Sequence, residues 1–423
     1  MLKRIVAGLL SALLLLTQAV AQNQRLYVPG APSLGGDGLR AGITLPSILG
    51  LSSRIVFLGD SITAARGFAG YVDWAHFYSR GRFYPKVVGS NGLGPTGWDQ
   101  GVVGNTTADV ITRLANMSAE SPKVLFLEVG TNDIATGAAT AAQICANYDT
   151  IIAAGQAAGA KVMALTVIPR SSAGWSGAME TDRGTVNTCL KAKLPGAVVD
   201  ADPIITNTAT QLMADGTHPN GTGAQLLGAA VASLLSTVIT ASEILYDPAN
   251  VPAENLYANS IFAGGATVAT SWSFFQNTNG LTKAASKVTV DGLYNGQRYV
   301  ATGTASANAA DNFNQTVTPP GGLAGELYEA WVELVATKTT GITGIAISAG
   351  TNNTNSTHMS ITSQDAATLT VPFRGVLRAP PSVLAADGGN FNSRISILPA
   401  NGATVDADIT LLRSGYRKVP SGQ

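Results

Sequence analysis

Helical periodicity fills the first part of this 423-residue chain and disappears after about residue 250, so the chain must fold into two unlike parts. From Arg54 to about Ile239, short apolar runs alternate with longer helical stretches, as an α/β domain requires. Strands are expected at 54–58, 86–89, 123–129, 161–168 and 197–200, and helices at 138–158, 178–193 and 222–239. In the last helix Leu226, Leu227, Ala230, Leu234 and Val238 recur at helical spacing. A three-layer, doubly wound parallel sheet is the simplest assembly. Its functional crevice lies beyond the carboxyl ends of the strands.

The segment 243–253 carries Pro248 and Pro252 and no period, which makes it a linker between a domain at 51–242 and one at 254–416. The second domain alternates with period two: Val288 and Val290, Leu369, Val371 and Phe373, Ile395 and Ile397, then Val405, Ala407, Ile409 and Leu411. Short strands of this kind, bounded by Gly, Asn and Pro, indicate a β-sandwich. At 327–335, Tyr328, Ala330, Val332 and Leu334 form one face, which leaves Glu329, Trp331 and Glu333 on the other. An outward Trp331 between carboxylates could stack on a sugar ring; an indole covered by neighbouring structure is the plainer alternative.

Residues 1–21 begin with Lys3 and Arg4, continue through the apolar run Ile5 to Leu16 and close on Ala19-Val20-Ala21, the layout of a cleaved export signal. The run is shorter than the roughly 20 residues of a spanning helix, so no membrane anchor is expected after cleavage. Residues 22–50 have no period and are expected to lie as an extended arm. Export implies a periplasmic or secreted protein, and an oxidising compartment allows Cys145 and Cys189 to pair. Removing Lys3 and Arg4 leaves 24 basic against 26 acidic residues, a balance of −2. That excludes nucleic acid as a natural partner, since phosphate binding needs a basic patch.

Ser61, in Gly59-Asp60-Ser61-Ile62-Thr63, ends the first apolar run, where a strand-to-helix turn would present its hydroxyl. A serine hydroxyl attacks poorly until an imidazole takes its proton, and the imidazole needs a carboxylate to fix its tautomer. Asp215 and His218 are three residues apart, so one turn places both on a common face. The chain has three histidines. His76 lies in an aromatic-rich stretch (Trp74, Phe77, Tyr78), where it suits packing or the lip of a substrate site, and His358 sits in an Asn/Thr-rich turn of the β region. Attack on an ester creates an oxyanion that needs aimed donors. Gly104 can offer a backbone N–H, and Asn132, directly after the strand at 123–129, a side-chain amide. Each also fits a blander role, Gly104 as a tight turn and Asn132 as a helix cap.

Taken together the pattern resembles the GDSL, or SGNH, hydrolase family. The family's four blocks supply Ser, Gly, Asn and His in that order, and here Ser61, Gly104, Asn132 and His218 fall in that order within GDSIT, GVVGNTTAD, VGTND and DGTHPN. The resemblance covers about residues 50 to 240. It implies a flavodoxin-like fold, Ser61 as nucleophile, Asp215 and His218 completing a triad, and an oxyanion hole from Ser61 N–H, Gly104 N–H and the Asn132 amide. The long stretch between Ser61 and Gly104, with Trp74, Tyr78, Tyr84 and Trp98, departs from the pattern and is expected to shape the substrate entrance. Arg170 and Trp175, after the strand at 161–168, are expected at the rim of the crevice. No residue cluster has metal-ligand or phosphate-loop spacing, so no cofactor is expected. Residues 254–413 loosely resemble the jelly-roll carbohydrate-binding modules of secreted bacterial enzymes.

The expected function is an exported serine esterase that removes acetyl or other short acyl groups from carbohydrate, with acylated carbohydrate or another ester as partner. A lipase or general carboxylesterase is the alternative. An inactive surface-binding or adhesion protein is the reading from another class.

Overall fold

The computed structural model describes residues 55–64, 70–80, 83, 99–239, 255–290, 294–350, 357–362, 369–379 and 382–418. The expected export signal at 1–21, the arm at 22–50, the strand at 86–89, Tyr84, Trp98 and the linker at 243–253 lie outside the described residues.

The α/β part contains, in chain order, β1 (Ile55–Gly59), α1 (Ser61–Ala64), α2 (Tyr71–Tyr78), β2 (Asp99–Gly101), α3 (Thr107–Thr112), α4 (Leu114–Ala119) and β3 (Val124–Glu128). It continues with α5 (Thr131–Thr136), α6 (Ala141–Ala157), β4 (Lys161–Leu165), α7 (Gly177–Lys193), β5 (Val198–Val199), α8 (Thr208–Gln211) and α9 (Gly221–Leu235). The five strands are parallel in the order β2-β1-β3-β4-β5. This is the flavodoxin-like order, and it opens a crevice at the carboxyl ends of β1 and β3. Both strands are buried at every position, because helices cover the two faces. At the sheet centre Phe57 and Phe126 are cross-strand partners with ring centroids 5.4 Å apart. Burying an aromatic of this size contributes about 1.5–3 kcal/mol.

Local sequence sets the helix starts. Thr140 opens α6 and Ser176 opens α7, each side chain accepting an N–H of its first turn. Asn220 opens α9, its Oδ1 accepting from Thr222 and Gly223 at 3.0 Å each. The disulfide Cys145–Cys189 joins α6 to α7, with Cα atoms 6.2 Å apart.

The second part is all β: β6 (Ser273–Phe275), β7 (Thr282–Val290), β8 (Tyr294–Thr304), β9 (Asp311–Val317), β10 (Leu327–Thr340) and β11 (Ile342–Gly350), then β12 (Thr357–Thr362), β13 (Phe373–Arg378), β14 (Ser382–Val383), β15 (Phe391–Pro399) and β16 (Thr404–Lys418). One antiparallel sheet runs β13-β10-β16-β8-β7, with β14 beside β10, and the other β12-β11-β15-β9-β6. Eight of these strands are divided between the sheets so that β8-β16-β10-β13 is matched by β9-β15-β11-β12, the connectivity of a jelly roll. Phe313, Ile345, Ile347 and Ile395 from one sheet and Tyr299, Val332, Leu334 and Ile409 from the other share one core.

The two parts meet across α2, a helix buried on all sides. Tyr71, Val72 and Ala75 join the α/β core, while Trp74 and Phe77 join the β core. Phe373 receives both aromatic rings, at 5.5 Å from Trp74 and 5.8 Å from Phe77. On its other side α2 packs on α9. A Cβ at Gly228 would stand 2.3 Å from the Trp74 side chain, so only glycine lets the helices approach this closely. Gln225 of α9 completes the junction, donating to Tyr78 Oη and Thr370 O at 2.9 Å and accepting from Thr370 N at 2.7 Å. Trp74 and Tyr78 therefore do not shape a substrate entrance. They cement the domain junction, because an apolar helix face is buried most completely between two cores. His76, on the same helix, is fully buried against Phe83.

Candidate active site

The Ser61 side chain stands at the first position of α1, immediately past β1, with the residue 8% exposed. Its turn is held by Asp60, whose Oδ1 accepts the Ile62 N–H at 2.9 Å. Far along the chain, a tight loop before α9 brings up the other two groups. Met213 N–H donates to His218 O at 2.8 Å and Gly216 N–H to Met213 O at 2.9 Å, which folds 213–218 back on itself. Within that loop Asp215 Oδ1 accepts the N–H groups of Thr217 and His218 at 2.8 and 3.0 Å, and Asp215 Oδ2 lies 2.6 Å from His218 Nδ1. His218 Nε2 is 2.8 Å from Ser61 Oγ. These partners assign the tautomer: Nδ1 carries the proton toward the carboxylate, and Nε2 is left to accept from the hydroxyl. Partial burial works against ionisation of Asp215, but the His218 N–H, the His218 ring and the Thr217 N–H outweigh it and hold its pKa below the usual carboxylate range.

Gly104 follows β2 in an exposed loop at φ +78°. Nothing lies within 4 Å of where its Cβ would be, so backbone conformation rather than space calls for glycine. In that left-handed region a side chain would cost about 1–2 kcal/mol. Arg113 clamps this loop to the sheet, donating to Gly59 O, Gln100 O and Asn105 Oδ1 at 2.7, 2.6 and 2.9 Å. Asn132 is the second residue of α5, after β3. Its amide donates to Asn105 O at 2.9 Å and reaches Asp60 Oδ2 at 3.5 Å. Asp133 ties α5 to α3 by accepting from Thr107 N–H and Oγ at 2.8 and 2.6 Å. Ser61, the Gly104 loop, Asn132 and His218 thus come from four separate connections at one edge of the sheet.

Arg170 crosses between these loops. It donates to Thr131 Oγ at 3.0 Å, Ser172 Oγ at 3.1 Å and Thr217 Oγ at 2.7 Å, and its guanidinium sits 4.7 Å from the Trp175 ring centroid. Trp175 is half-buried and donates its indole N–H to Glu180 at 3.0 Å. Burial lowers the Arg170 pKa from its ordinary value, against the charges of Asp60 and Asp215. Its position binds α5 to the triad loop.

Trp331 is not an outward platform. It is 5% exposed, and Glu329 and Glu333 beside it are 0% and 1% exposed. Glu329 is ion-paired to Arg378 at 2.6 Å and to Arg417, and Glu333 to Arg374 at 2.9 Å and to Arg413. The arginines come from β13 and β16 on either side of β10, and a Cβ at Gly415 of β16 would run into the indole. Long arginine stems cover apolar surface while their heads pair the carboxylates, so a face that alternation marks as outer is closed.

Sequence reasoning did not single out Asp60, Glu128, Arg113 or Asp133. The Asp of Gly-Asp-Ser and the Asp after Asn132 were in plain view, but only the fold reveals that they join loops. Glu128 closes an apolar strand, where a carboxylate signals nothing by period. Among the described residues no group of three or more His, Cys, Asp or Glu converges as a metal site would, and no helix is long and apolar enough to cross a membrane.

Residues 57–226 match the model of the GDSL-like Lipase/Acylhydrolase family. No curated protein matches the chain. Among solved structures it is similar to a mutant acetyl esterase with acetate ion, at 23% identity over 44% of this chain and 97% of that one, with a TM-score of 0.34. It is also similar to a carbohydrate esterase family 3 protein from Talaromyces cellulolyticus (22% identity, 45% and 99% covered, TM-score 0.34). A third is a GDSL-like lipase from Bacteroides thetaiotaomicron (21% identity, 44% and 88% covered, TM-score 0.33).

Proposed function

We infer that this chain, whose residues 57–226 are a GDSL-like lipase/acylhydrolase domain, is an exported serine esterase that removes short acyl groups, acetyl foremost, from carbohydrate. The observation that carries the esterase reading is the unbroken line from Asp215 through His218 to Ser61, with contacts of 2.6 and 2.8 Å. In this reading Ser61 Oγ bonds to the ester carbonyl carbon while His218 Nε2 takes its proton. The carbonyl oxygen becomes an oxyanion beside the N–H groups of Ser61 and Gly104 and the Asn132 amide. The oxyanion collapses, the bond to the sugar oxygen breaks, and His218 returns the proton to the leaving alcohol. Water then attacks the acyl-enzyme with His218 again as base, freeing the carboxylic acid and restoring Ser61.

Export rests on the N-terminal charge and apolar pattern, and carbohydrate on the company of a jelly-roll domain. That domain is proposed to hold the enzyme near a polymer. Two experiments test the reading. On an aryl acetate, Ser61→Ala should lower kcat on the order of 10⁴–10⁶-fold with the protein still folded; equal rates would remove the esterase claim. Across esters of rising acyl length, kcat/KM should fall steeply beyond a few carbons. Preference for long chains would mean a lipase instead.

A further inference from the structure

The Ser61–His218–Asp215 line leaves unused a second pair of acids directly behind it. Asp60 and Glu128 are both fully buried, at the carboxyl ends of the adjacent strands β1 and β3. Gly59 is the cross-strand partner of Glu128, which puts Asp60 next to it, close enough for the Asp60 charge to act on Glu128. Glu128 Oε2 accepts from Thr63 Oγ at 3.1 Å, and Thr63 Oγ lies 3.0 Å from Tyr71 Oη. Glu128 Oε1 receives no donor. Asp60 Oδ1 accepts from Ile62 N–H at 2.9 Å, and its Oδ2 meets the Asn132 amide at 3.5 Å.

Two adjacent buried carboxylates with one oxygen undonated lack the water and donors that two charges need, whereas a single retained proton satisfies both. Burial first, and then the charge of the other acid, pushes Glu128 well above the usual carboxylate range; burial likewise raises Asp60, against the Ile62 N–H and the Glu128 hydrogen bond. The groups around the pair do not reverse this. Tyr71 of α2 and Tyr148 of α6 are buried and neutral, and Asp133 of α5 adds negative charge. Arg113, between α3 and α4, uses its guanidinium on backbone carbonyls and Asn105, and Arg170 on hydroxyls.

We propose that Glu128 is a positioning residue that acts as an un-ionised acid: its O–H donates to Asp60, and the Asp60 carboxylate so held fixes the turn that carries the Ser61 hydroxyl and the Ser61 N–H. Asp60 thus lies between two of the three oxyanion donors and is itself fixed from behind by Glu128. The assignment rests on the esterase reading for its kinetic consequence but not for its protonation.

The test compares Glu128→Gln and Glu128→Leu with the parent on an aryl acetate, alongside thermal unfolding from about pH 5 to about pH 9. Glutamine keeps a donor for Asp60 and an acceptor for Thr63, so kcat should stay within about threefold of the parent. Leucine removes the donor, and kcat should fall by about 10- to 100-fold with KM within about twofold, since a misaimed oxyanion donor affects the transition state more than binding. The parent must keep a proton on Glu128 or pay to ionise it, so its midpoint should fall relative to Glu128→Gln as pH rises. Loss of kcat in Glu128→Gln equal to that in Glu128→Leu, or a midpoint difference that does not change with pH, would overturn the proposal. A parent that cleaves no ester but retains the pH-dependent midpoint gap would count against the esterase reading alone.

Discussion

Asn132 is the residue on which the oxyanion argument turns most directly. One of its amide hydrogens is held by Asn105 O at 2.9 Å, and the other meets Asp60 only at 3.5 Å, a weak contact that an oxyanion would displace. Asn132→Ala should therefore lower kcat by about 10²- to 10³-fold with little change in KM. Steady-state rates on an aryl acetate check this, and a KM effect alone would mean that the amide binds ground-state substrate. Arg170 illustrates the other kind of residue. Its position after a strand suggested a substrate contact; in space its guanidinium donates to hydroxyls of α5 and the triad loop and so ties those two elements together.

At the scale of elements, α2 carries the largest share of the junction. Its Trp74 is fully buried between α9 and Phe373. Trp74→Ala should cost about 3–5 kcal/mol in urea unfolding while leaving KM nearly unchanged, since the ring is far from solvent and makes no triad contact. The disulfide between α6 and α7 closes a separation of 44 residues. In the chain-entropy account it contributes about 4 kcal/mol, so reduction should lower the thermal midpoint without touching the Ser61–His218 contact.

For the whole molecule, the β domain is no loosely tethered appendage. Ending the chain after residue 242 would strip Phe373 and Thr370 from Trp74, Phe77 and Gln225, so the shortened protein should melt lower and aggregate more than the parent. A calorimetric midpoint unchanged by the truncation would contradict the shared core. Stability against pH also has a whole-molecule signature. Glu329 and Glu333 are buried, but flanking arginines outweigh that burial and keep their pKa values below the usual range. Their stabilisation is present above the ordinary carboxylate pKa and is lost as pH falls through the lowered values. Asp60 and Glu128 act in the opposite sense, weakening the fold as pH rises. Unfolding curves should therefore show a maximum between an acid limb set by the β domain and an alkaline limb set by the α/β domain. A paired Glu333→Leu, Arg413→Leu variant should weaken the acid limb and leave the share of Glu329, read as a smaller loss of the thermal midpoint on acidification than in the parent.

Period and punctuation in the chain were enough for the apolar strands β1, β3 and β4 and the long helices α6, α7 and α9, whereas β2, Asp99-Gln100-Gly101, is too short and polar to read as a strand. Buried parallel strands read as apolar runs, antiparallel strands as alternation, and helices begin at residues such as Asn220 whose side chains cap them. Ser61, Gly104, Asn132 and His218 were legible because each lies at a strand or helix end, where local sequence dictates conformation. What covers a face was not legible. Trp331 has the alternation of an outward residue, and Trp74 the setting of a loop aromatic, yet both are buried by segments remote in the chain. The proton between Asp60 and Glu128 is likewise a property of two strands meeting, since neither carboxyl is unusual until the other removes its water. Local rules choose elements; burial, and with it charge state, belongs to contacts that only the assembled fold creates.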